Sequence, residues 1–306
     1  MHATKYSLLL PVRNEAGRIE ETVRTVFRGL PADSRWEVCI GDDFSDDGTT
    51  EKLKALSAAF PFRLIRPDEN LGRSGIRNLL AEAARGEYLV FMDGDCKPMA
   101  GFFKAWEGVE PGCAYVGKVS YDEFPASGFT RFLHRGSGLG KLGDRSSFPP
   151  AYFISQNFCV SRIHFAQAGR FRTDLLGWGG EDVDFGWKLA KLGVNLRYRG
   201  EAEVRHPAVT KADSYFARLV HFGRVNLPVL VSEHPELVSQ YKLAFARPPH
   251  SLLFLNPWIF KACKLLITGK PHWPWPFAMY RYVTFNCYAR GFRQAMGVPG
   301  RFSAPR

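Results

Sequence analysis

The 306-residue chain lacks paired cysteines, a long apolar run and a signal peptide, and each absence argues against a class of protein. Its six cysteines form no C-x-x-C pair, which argues against a zinc site or a disulfide framework and favours a reducing cytoplasm. No uncharged apolar run of about 18 residues occurs, which argues against a classical membrane-spanning helix. The start, Met1–Lys5, has neither the apolar region nor the small-residue cleavage site of a signal peptide. We therefore expect a globular chain that stays in the cytoplasm.

Acidic residues are missing from Tyr241–Arg306, a stretch that contains ten Lys and Arg residues. Because the formal net charge is +11, this stretch carries nearly all of the excess positive charge, and the first 240 residues are nearly neutral. Aromatic residues, among them Trp273 and Trp275, lie between the basic ones. That composition is typical of an anchor lying in the plane of an anionic membrane surface. An ordinary helical subdomain is the equal alternative.

The first 98 residues alternate between strand-like and helix-like segments. Apolar runs predict strands at Tyr6–Val12, Trp36–Ile40, Phe62–Ile65 and Tyr88–Met92. Apolar residues at helical spacing predict a helix after each of the first three strands. Strands joined through helices by short connections predict an α/β fold, a mainly parallel, Rossmann-like sheet flanked by helices. The order of the strands cannot be read from the sequence.

Polar residues follow each predicted strand, and the carboxyl ends of parallel strands meet at one edge of a sheet. The residues expected to be neighbours there are Arg13, Asp43, Arg73, Arg77, Asp93 and Asp95. Two carboxylates one residue apart suit Mg²⁺ or Mn²⁺, although a solvated turn is the plain alternative. With arginines for phosphate and a carboxylate for a nucleobase, the set predicts a nucleoside-diphosphate pocket. Neither the dinucleotide fingerprint nor a P-loop follows any predicted strand, so an NAD-dependent or kinase-type enzyme loses support.

Four motifs, Leu10–Glu15, Asp42–Thr49, Asn70–Asn78 and Asp93–Asp95, occur in the order and spacing of family 2 glycosyltransferases of the GT-A fold, which the chain resembles over residues 5 to 210. The donor-binding residues that the resemblance implies are Pro11, Arg13, Glu15, Asp43, Asn70, Gly72, Arg73, Arg77 and Asp93. It also implies that Asp43 binds uracil, and that Asp93 and Asp95 hold Mn²⁺ or Mg²⁺. Phe44 departs from the family, which commonly has Gly or Asn there.

A second signal is the segment from Gly177 to Asp182, with the sequence G-W-G-G-E-D. Glycines permit close backbone approach, and Trp178 offers a flat face of the kind on which sugars stack. Glu181 and Asp182 begin a predicted helix, where an acidic first turn is the structural alternative. The segment is similar to the acceptor site of β-1,4-galactosyltransferases. By that resemblance Trp178, Gly180 and Glu181 bind the acceptor, and Asp182, with Glu181 second, is the catalytic base.

Two further predictions come from the region beyond Asp95. In related GT-A enzymes a metal-binding histidine follows the E-D motif (here Glu181 and Asp182) at about the distance of His206. The resemblance therefore implies that His206 is a third metal ligand; a structural histidine is the alternative. The stretch from Gly136 to Pro150 is rich in Gly, Ser and Lys. It is typical either of a loop that closes over a donor or of a plain surface loop.

Together these patterns predict a catalytic domain at 1–210, with a nucleotide-sugar half at 1–98 and an acceptor half at 99–210, and a helical, basic-aromatic extension at 211–306. The predicted reaction is inverting, metal-dependent transfer from a nucleotide-diphosphate sugar, a UDP-sugar in first place, to a glycan or lipid-linked acceptor in envelope or exopolysaccharide synthesis. The Q-x-x-R-W signature of processive synthases is absent, so we expect one sugar per encounter. Nucleic acid is not an expected partner.

Two rival hypotheses belong to other classes. A metal-dependent phosphohydrolase would use D-x-D-x-[TV] after its first strand, whereas here Lys97 holds the fifth position and the motif follows the fourth strand. An inactive, membrane-associated scaffold would not require the complete set of acidic residues.

Overall fold

The computed structural model describes residues 4–32, 35–121, 127–134, 146–207 and 211–297. The chain forms two compact units. The first comprises residues 1–122, 136–173 and 181–207, and the second comprises residues 123–135, 174–180 and 208–306. Two short segments, 123–135 and 174–180, therefore group with the C-terminal helices, although both precede the boundary predicted near residue 210.

A single mixed sheet forms the centre of the first unit. Its strands are β1 (Tyr6–Val12), β2 (Trp36–Asp42), β3 (Arg63–Ile65), β4 (Tyr88–Met92), β5 (Lys97–Pro98), β6 (Cys113–Tyr121), β7 (Asn157–Ser161) and β8 (Asn195–His206). Their spatial order is β3-β2-β1-β4-β7-β6-β8-β5. The first four in this order are parallel, whereas β7 runs antiparallel to both of its neighbours. The predicted α/β class with a mainly parallel sheet is confirmed.

Helices cover the sheet and make up the second unit. They are α1 (Ile19–Gly29), α2 (Thr49–Ser57), α3 (Gly72–Ala83), α4 (Phe102–Trp106), α5 (Gly128–His134), α6 (Arg162–Gln167), α7 (Glu181–Lys191), α8 (Ala212–Glu233), α9 (Leu237–Gln240), α10 (His250–Phe254), α11 (Pro257–Gly269) and α12 (Phe277–Ala295). Of these, α5 and α8 to α12 lie in the second unit.

Alternation along β1 shows why the sheet is covered on both faces. Leu8 and Leu10 are completely buried in a cluster that includes Val23 of α1. Leu9, between them, belongs to a different cluster with Leu80 of α3. Side chains of a strand alternate between the two faces, so a run of apolar residues is stable only where both faces are covered.

The second unit has a core of its own, built from α5, α8, α11 and α12. Aromatic residues dominate it: Phe129, Phe216 and Tyr280 are almost fully buried and lie in ring contact. No helix within the described ranges combines the length and hydropathy that crossing a bilayer requires.

The sequence from Tyr152 to Val160 has the apolar pattern of a strand, but its first part does not form one. A single 3-10 turn, Pro150–Tyr152, precedes β7, and the strand begins only at Asn157. The N–H groups of Tyr152 and Phe153 donate to the carbonyls of Pro149 and Pro150, at 3.0 and 3.1 Å, and are therefore used in the turn and not in a strand ladder. Residues 136–145 of the predicted donor-closing loop lie outside the described residues.

Candidate active site

The pair Asp93 and Asp95 lies at the carboxyl end of β4, as predicted, and Gly94 between them explains its shape. The Gly94 N–H donates to the Pro11 carbonyl at 3.1 Å. A Cβ added at Gly94 would lie only 2.8 Å from that carbonyl oxygen and 2.5 Å from Cγ2 of Val12. Only glycine fits this close approach. The D-x-D turn is therefore pressed against the end of β1.

Asp95 lies next to His206, 111 positions further along the chain. Asp95 Oδ2 and His206 Nε2 are 3.2 Å apart, and both side chains are partly accessible. The other ring nitrogen, Nδ1, lies 2.7 Å from the Pro207 carbonyl. A ring that donates from Nδ1 presents the lone pair of Nε2, and this second-shell bond is typical of histidines that bind metals. The two predicted ligands thus lie together, and the tautomer with its proton on Nδ1 would leave Nε2 available to a metal.

The donor set at this position fits a hard divalent cation. Ligand atoms of Asp95, Cys96 and His206 all lie within 4.8 Å of one another. Cys96, however, is fully buried, and burial raises the pKa of its thiol well above the ordinary value. A thiol must lose its proton to ligate. A carboxylate and an imidazole therefore remain, and these suit Mn²⁺ or Mg²⁺ better than a soft metal.

Arg77 of α3 connects the D-x-D turn with α7. Its side chain is almost fully buried, and Nη2 lies 2.6 Å from Asp93 Oδ1. The same guanidinium interacts electrostatically with Asp182 and Glu181, at the start of α7. An arginine predicted to bind phosphate is thus the counter-ion of carboxylates from both halves of the catalytic unit. Asp93 stays a predicted metal ligand, with one of its oxygens held by Arg77.

Asp182, the predicted base, has a perturbed pKa. Burial, helped by the neighbouring Glu181 carboxylate, raises its pKa to about 7, although Arg77 and hydrogen bonds from Ser155 lower it. One carboxylate oxygen, Oδ1, is shielded from solvent and lacks a hydrogen-bond partner in the described structure. A base with a pKa near the working pH is ionised often enough to act and still basic enough to take a proton.

Asp43, at the end of β2, anchors the loop that leads into α3. Its carboxylate accepts from Asn70 Nδ2 at 2.8 Å and from the Leu71 N–H at 2.7 Å. Gly72 follows with a φ of +71°, a conformation that favours glycine. Each carboxylate oxygen has a second lone pair, so the predicted contact with a base remains chemically available.

Asp43→Ala should therefore weaken both the fold and nucleotide binding. Asp43 is 3% exposed, and its removal takes an acceptor from the exposed Asn70 amide and from the partly buried Leu71 N–H. We expect a loss of roughly 1–2 kcal/mol in the free energy of unfolding, measured by urea denaturation. Asp46→Ala, at an exposed position three residues away, is the matched control and should change stability by about 0.5 kcal/mol or less. Equal stabilities of the two variants would show that Asp43 does not hold the loop.

Phe44 adopts a left-handed conformation with a φ of +59°. This explains physically why Gly or Asn suits the position: a bulky residue is strained there. The ring is 42% exposed, and the guanidinium of Arg66 lies 4.7 Å from its centre. A cation–π contact thus holds an aromatic ring beside Asp43.

The other predicted donor-binding residues lie in the same unit, at the carboxyl ends of the strands or just beyond them. Pro11 is near the end of β1, and Arg13 and Arg73 are exposed. Glu15 is partly buried and pairs with Arg18 at 3.1 Å. Burial raises the pKa of Glu15, and the charge of Asp95 raises it further, which indicates that the two carboxylates are close.

The predicted acceptor segment divides between the units. Trp178 and Gly180 belong to the second unit, whereas Glu181 and Asp182 begin α7 in the first. Trp178 packs against Tyr215 with ring centres 5.9 Å apart. Gly180 has a φ of +108°, and a Cβ added there would meet Leu230 at 2.7 Å. Local backbone geometry therefore accounts for this glycine, and acceptor binding by Trp178 and Gly180 stays a prediction.

Sequence reasoning missed Ser155 and Tyr121. Ser155 is buried and hydrogen-bonds to Asp182. Tyr121 ends β6, with its ring 5.6 Å from the His206 ring. Ser155 lies in a stretch predicted only as a strand, and nothing in its local pattern indicates a partner 27 positions away.

Proteins of known family resemble this chain in sequence. A family model described as "Glycosyl transferase family 2" matches residues 7–163, half of the chain. The chain belongs to glycosyl transferase family 2. Glycosyltransferase AglE of Haloferax volcanii is 36% identical over 261 residues, which cover 80% of this chain and 83% of that protein.

Solved structures give the same fold. Mannosyltransferase PcManGT from Pyrobaculum calidifontis, in complex with GDP-Man and Mn²⁺, has a TM-score of 0.57 at 19% identity, covering 98% of this chain and 77% of that one. GalNAc-T7 with UDP, GalNAc and Mn²⁺ has a TM-score of 0.55 at 18% identity, covering 67% and 44%. The predicted GT-A fold and the predicted enzyme class, glycosyltransferase, are confirmed. The likeness of G-W-G-G-E-D to β-1,4-galactosyltransferases stays a prediction.

Proposed function

We propose that this glycosyltransferase moves one hexose from a nucleotide-diphosphate sugar to an acceptor hydroxyl and inverts the anomeric centre. The observation that supports this best is the position of Arg77, which pairs with Asp93 of the D-x-D turn and also faces Asp182. A donor-side carboxylate and a candidate base thus share one counter-ion. Structures of similar fold contain UDP or GDP-Man together with Mn²⁺.

Asp95 and His206 would hold the divalent cation, Mn²⁺ or Mg²⁺, with Asp93 as a further predicted ligand. When bound, the cation supplies positive charge that offsets the charge on a departing diphosphate. Arg13 and Arg73, both exposed beside the strand ends, add positive charge for the same phosphates. Asp43 and the loop that it anchors would receive the base, for which uracil is our first choice.

The proposed reaction is a single displacement. Asp182 accepts the proton of the acceptor hydroxyl, whose oxygen forms a new bond to the anomeric carbon. The bond from that carbon to the diphosphate oxygen breaks, and its electron pair leaves with the nucleoside diphosphate. Attack opposite the leaving group inverts the configuration.

We further propose that the acceptor is a glycan or a lipid-linked sugar in cell-envelope or polysaccharide synthesis, and that the enzyme acts on the cytoplasmic side, peripheral to the membrane. Acceptor binding by Trp178, Gly180 and Glu181 completes the proposal. The free cysteines support a reducing compartment.

Calorimetric titration with UDP, GDP and their sugar conjugates, each with and without Mn²⁺, tests the donor site. We expect the wild type to bind one nucleotide family, with affinity that depends on the metal. Asp95→Ala should abolish that dependence, because it removes one of the two side chains that lie together and would hold the cation. Asp213→Ala, at an exposed position on α8, is the matched control and should bind as the wild type does.

Each other outcome has a clear meaning. Wild-type protein that binds no nucleotide under any condition would overturn the transferase proposal and favour a scaffold. Binding that is equally strong with and without Mn²⁺ would be compatible with the proposed transfer reaction but would contradict a role for the metal in it.

A further inference from the structure

Helix α11 is apolar on both of its faces, although only one of them packs against other residues that the structure describes. Its inner side contributes Ile267, which is fully buried, together with Phe260 and Cys263, to the core of the second unit. Its outer side exposes Trp258 (76%) and Leu265 (68%). A helix that is hydrophobic all round is normally covered on every side.

The exposed apolar surface of α11 is larger than these two residues. Ile259 and Leu266 are also exposed, at 52% and 40%, and follow Trp258 and Leu265 by one position. Trp258 and Leu265 are seven positions apart, as are Ile259 and Leu266, so each pair lies nearly in line along the helix. The two rows are about 100° apart around the axis and together form one continuous apolar side. We call Trp258, Ile259, Leu265 and Leu266 the outer stripe. The flanking segments add Leu253 at 74% and Trp273 at 58% exposure.

Positive charge accompanies the outer stripe. Lys261 and Lys264 line a shallow recess of about 410 Å³ on α11, together with Phe260, Leu265 and Thr268. Asp213 lies 3.8 Å from Lys264 at an exposed position, where such a pair contributes little. From residue 241 to the end of the chain the sequence contains no Asp or Glu. A surface of this kind attracts phosphates and has little to offer a basic partner.

We propose that the outer stripe binds an anionic phospholipid bilayer, with α11 lying in the plane of the membrane surface. At 1.5 Å per residue, its 13 residues measure only about 20 Å, too short to cross a bilayer. Exposed tryptophan is favoured at the boundary between lipid and water, where its ring has one apolar and one polar side. Lysines beside the stripe extend their ammonium groups to the level of the lipid phosphates.

Charge complementarity favours a bilayer over a protein as the occupant. The stripe combines indole rings, branched aliphatic side chains and lysines without acidic residues, which is the composition of helices at membrane surfaces. An interface between two copies would instead bring like charges together, because Lys261 and Lys264 lie beside the stripe in every copy. The proposal rests on no step of the sugar-transfer reaction.

Vesicle sedimentation with the full chain tests this proposal. We expect the wild type to bind vesicles of phosphatidylglycerol mixed equally with phosphatidylcholine, to bind pure phosphatidylcholine far less, and to be released by salt. Trp258→Ser with Leu265→Ser should weaken binding at least about tenfold, because two large side chains no longer enter the lipid. Lys261→Glu should weaken binding roughly fivefold or more, and only to anionic vesicles.

The matched control is Ile163→Ser with Leu192→Ser, which removes two exposed apolar side chains (66% and 46%) from the first unit. It should bind vesicles as the wild type does. All variants change exposed positions, so unchanged thermal unfolding and nucleotide titration will confirm that each is folded.

Three results would overturn the proposal. They are wild-type protein that binds neither vesicle, a stripe variant that binds as well as the control variant, and equal binding to charged and neutral lipid. Light scattering after size exclusion addresses the main alternative. A wild-type dimer that the stripe substitutions convert to a monomer would assign the stripe to a second copy of the chain.

Discussion

Asp182→Asn is expected to lower kcat by roughly 10²–10⁴-fold while leaving the affinity for the donor nucleotide unchanged. The amide keeps the shape of the carboxylate but cannot accept the proton of the acceptor hydroxyl. Since Asp182 is not among the predicted metal or donor ligands, titration with nucleotide and Mn²⁺ should not change. Initial rates with a saturating donor measure the effect.

Wild-type activity should in addition rise with pH through about 7, the pKa to which burial raises Asp182. Below that pH the base is protonated in most molecules and cannot act. The residual rate of Asp182→Asn should lack this rise. Asp184→Asn is the matched control: Asp184 is fully buried and pairs with Lys188 at 2.7 Å, so its loss should lower stability yet keep the pH profile. A profile that survives in Asp182→Asn would assign the base to another group.

The Asp182 carboxylate should also make the free energy of unfolding fall as the pH rises, whereas activity rises. An unfolded aspartate has a pKa of about 3.9, well below the value in the folded chain. Between these two values the unfolded state has lost a proton that the folded state retains, so raising the pH lowers stability across this window. Asp182→Asn removes that penalty. The variant should melt at a higher temperature than the wild type at pH 8, and the difference should disappear near pH 4.

Arg77→Met is expected to have the largest effect on stability, a loss of about 3 kcal/mol in the free energy of unfolding. The substitution keeps a side chain of similar length but leaves Asp93 without its counter-ion in a site that is largely shielded from water. It should also raise the pKa of Asp182 further, because Arg77 is the charge that lowers it. Urea denaturation measures the first effect, and the pH profile of any remaining activity measures the second.

Two comparisons isolate the buried pair. Adding Asp93→Asn to Arg77→Met should recover part of the lost stability, because the uncompensated charge is then gone. Arg170→Met removes an exposed arginine that pairs with Glu82 at 2.7 Å, and it should cost about 1 kcal/mol or less. If Arg77→Met is as mild as Arg170→Met, Arg77 is not the shared counter-ion.

The first half of the fold could be predicted because its signals are local. Apolar runs predicted the bounds of β1 and β4 to the residue, and helical spacing predicted a helix after each of the first three strands. The convergence of Arg77 and Asp93, 16 positions apart, followed from one general rule about the carboxyl ends of parallel strands. The pairing of the predicted metal ligands required more, since His206 is the last residue of β8, a strand that joins the sheet far along the chain.

Strand order and direction could not be predicted, because a buried strand shows the same pattern whether it runs parallel or antiparallel. The antiparallel insertion of β7 between β4 and β6 is therefore invisible in the sequence. That insertion brings the segment before β7 to the site, and with it Ser155. The exposure of α11 was equally unreadable, because hydropathy does not indicate which apolar face finds a partner.

The contact of Gly94 with the end of β1 makes the proposed metal site dependent on residues that are not among its predicted ligands. Asp95 follows Gly94 directly, so the position of its carboxylate depends on what Gly94 packs against, which is the Pro11 carbonyl and a methyl group of Val12. A larger side chain at position 12 would push the turn, and Asp95 with it, away from His206. If Asp95 and His206 hold a cation as proposed, its affinity would depend on the volume of one aliphatic side chain in the core.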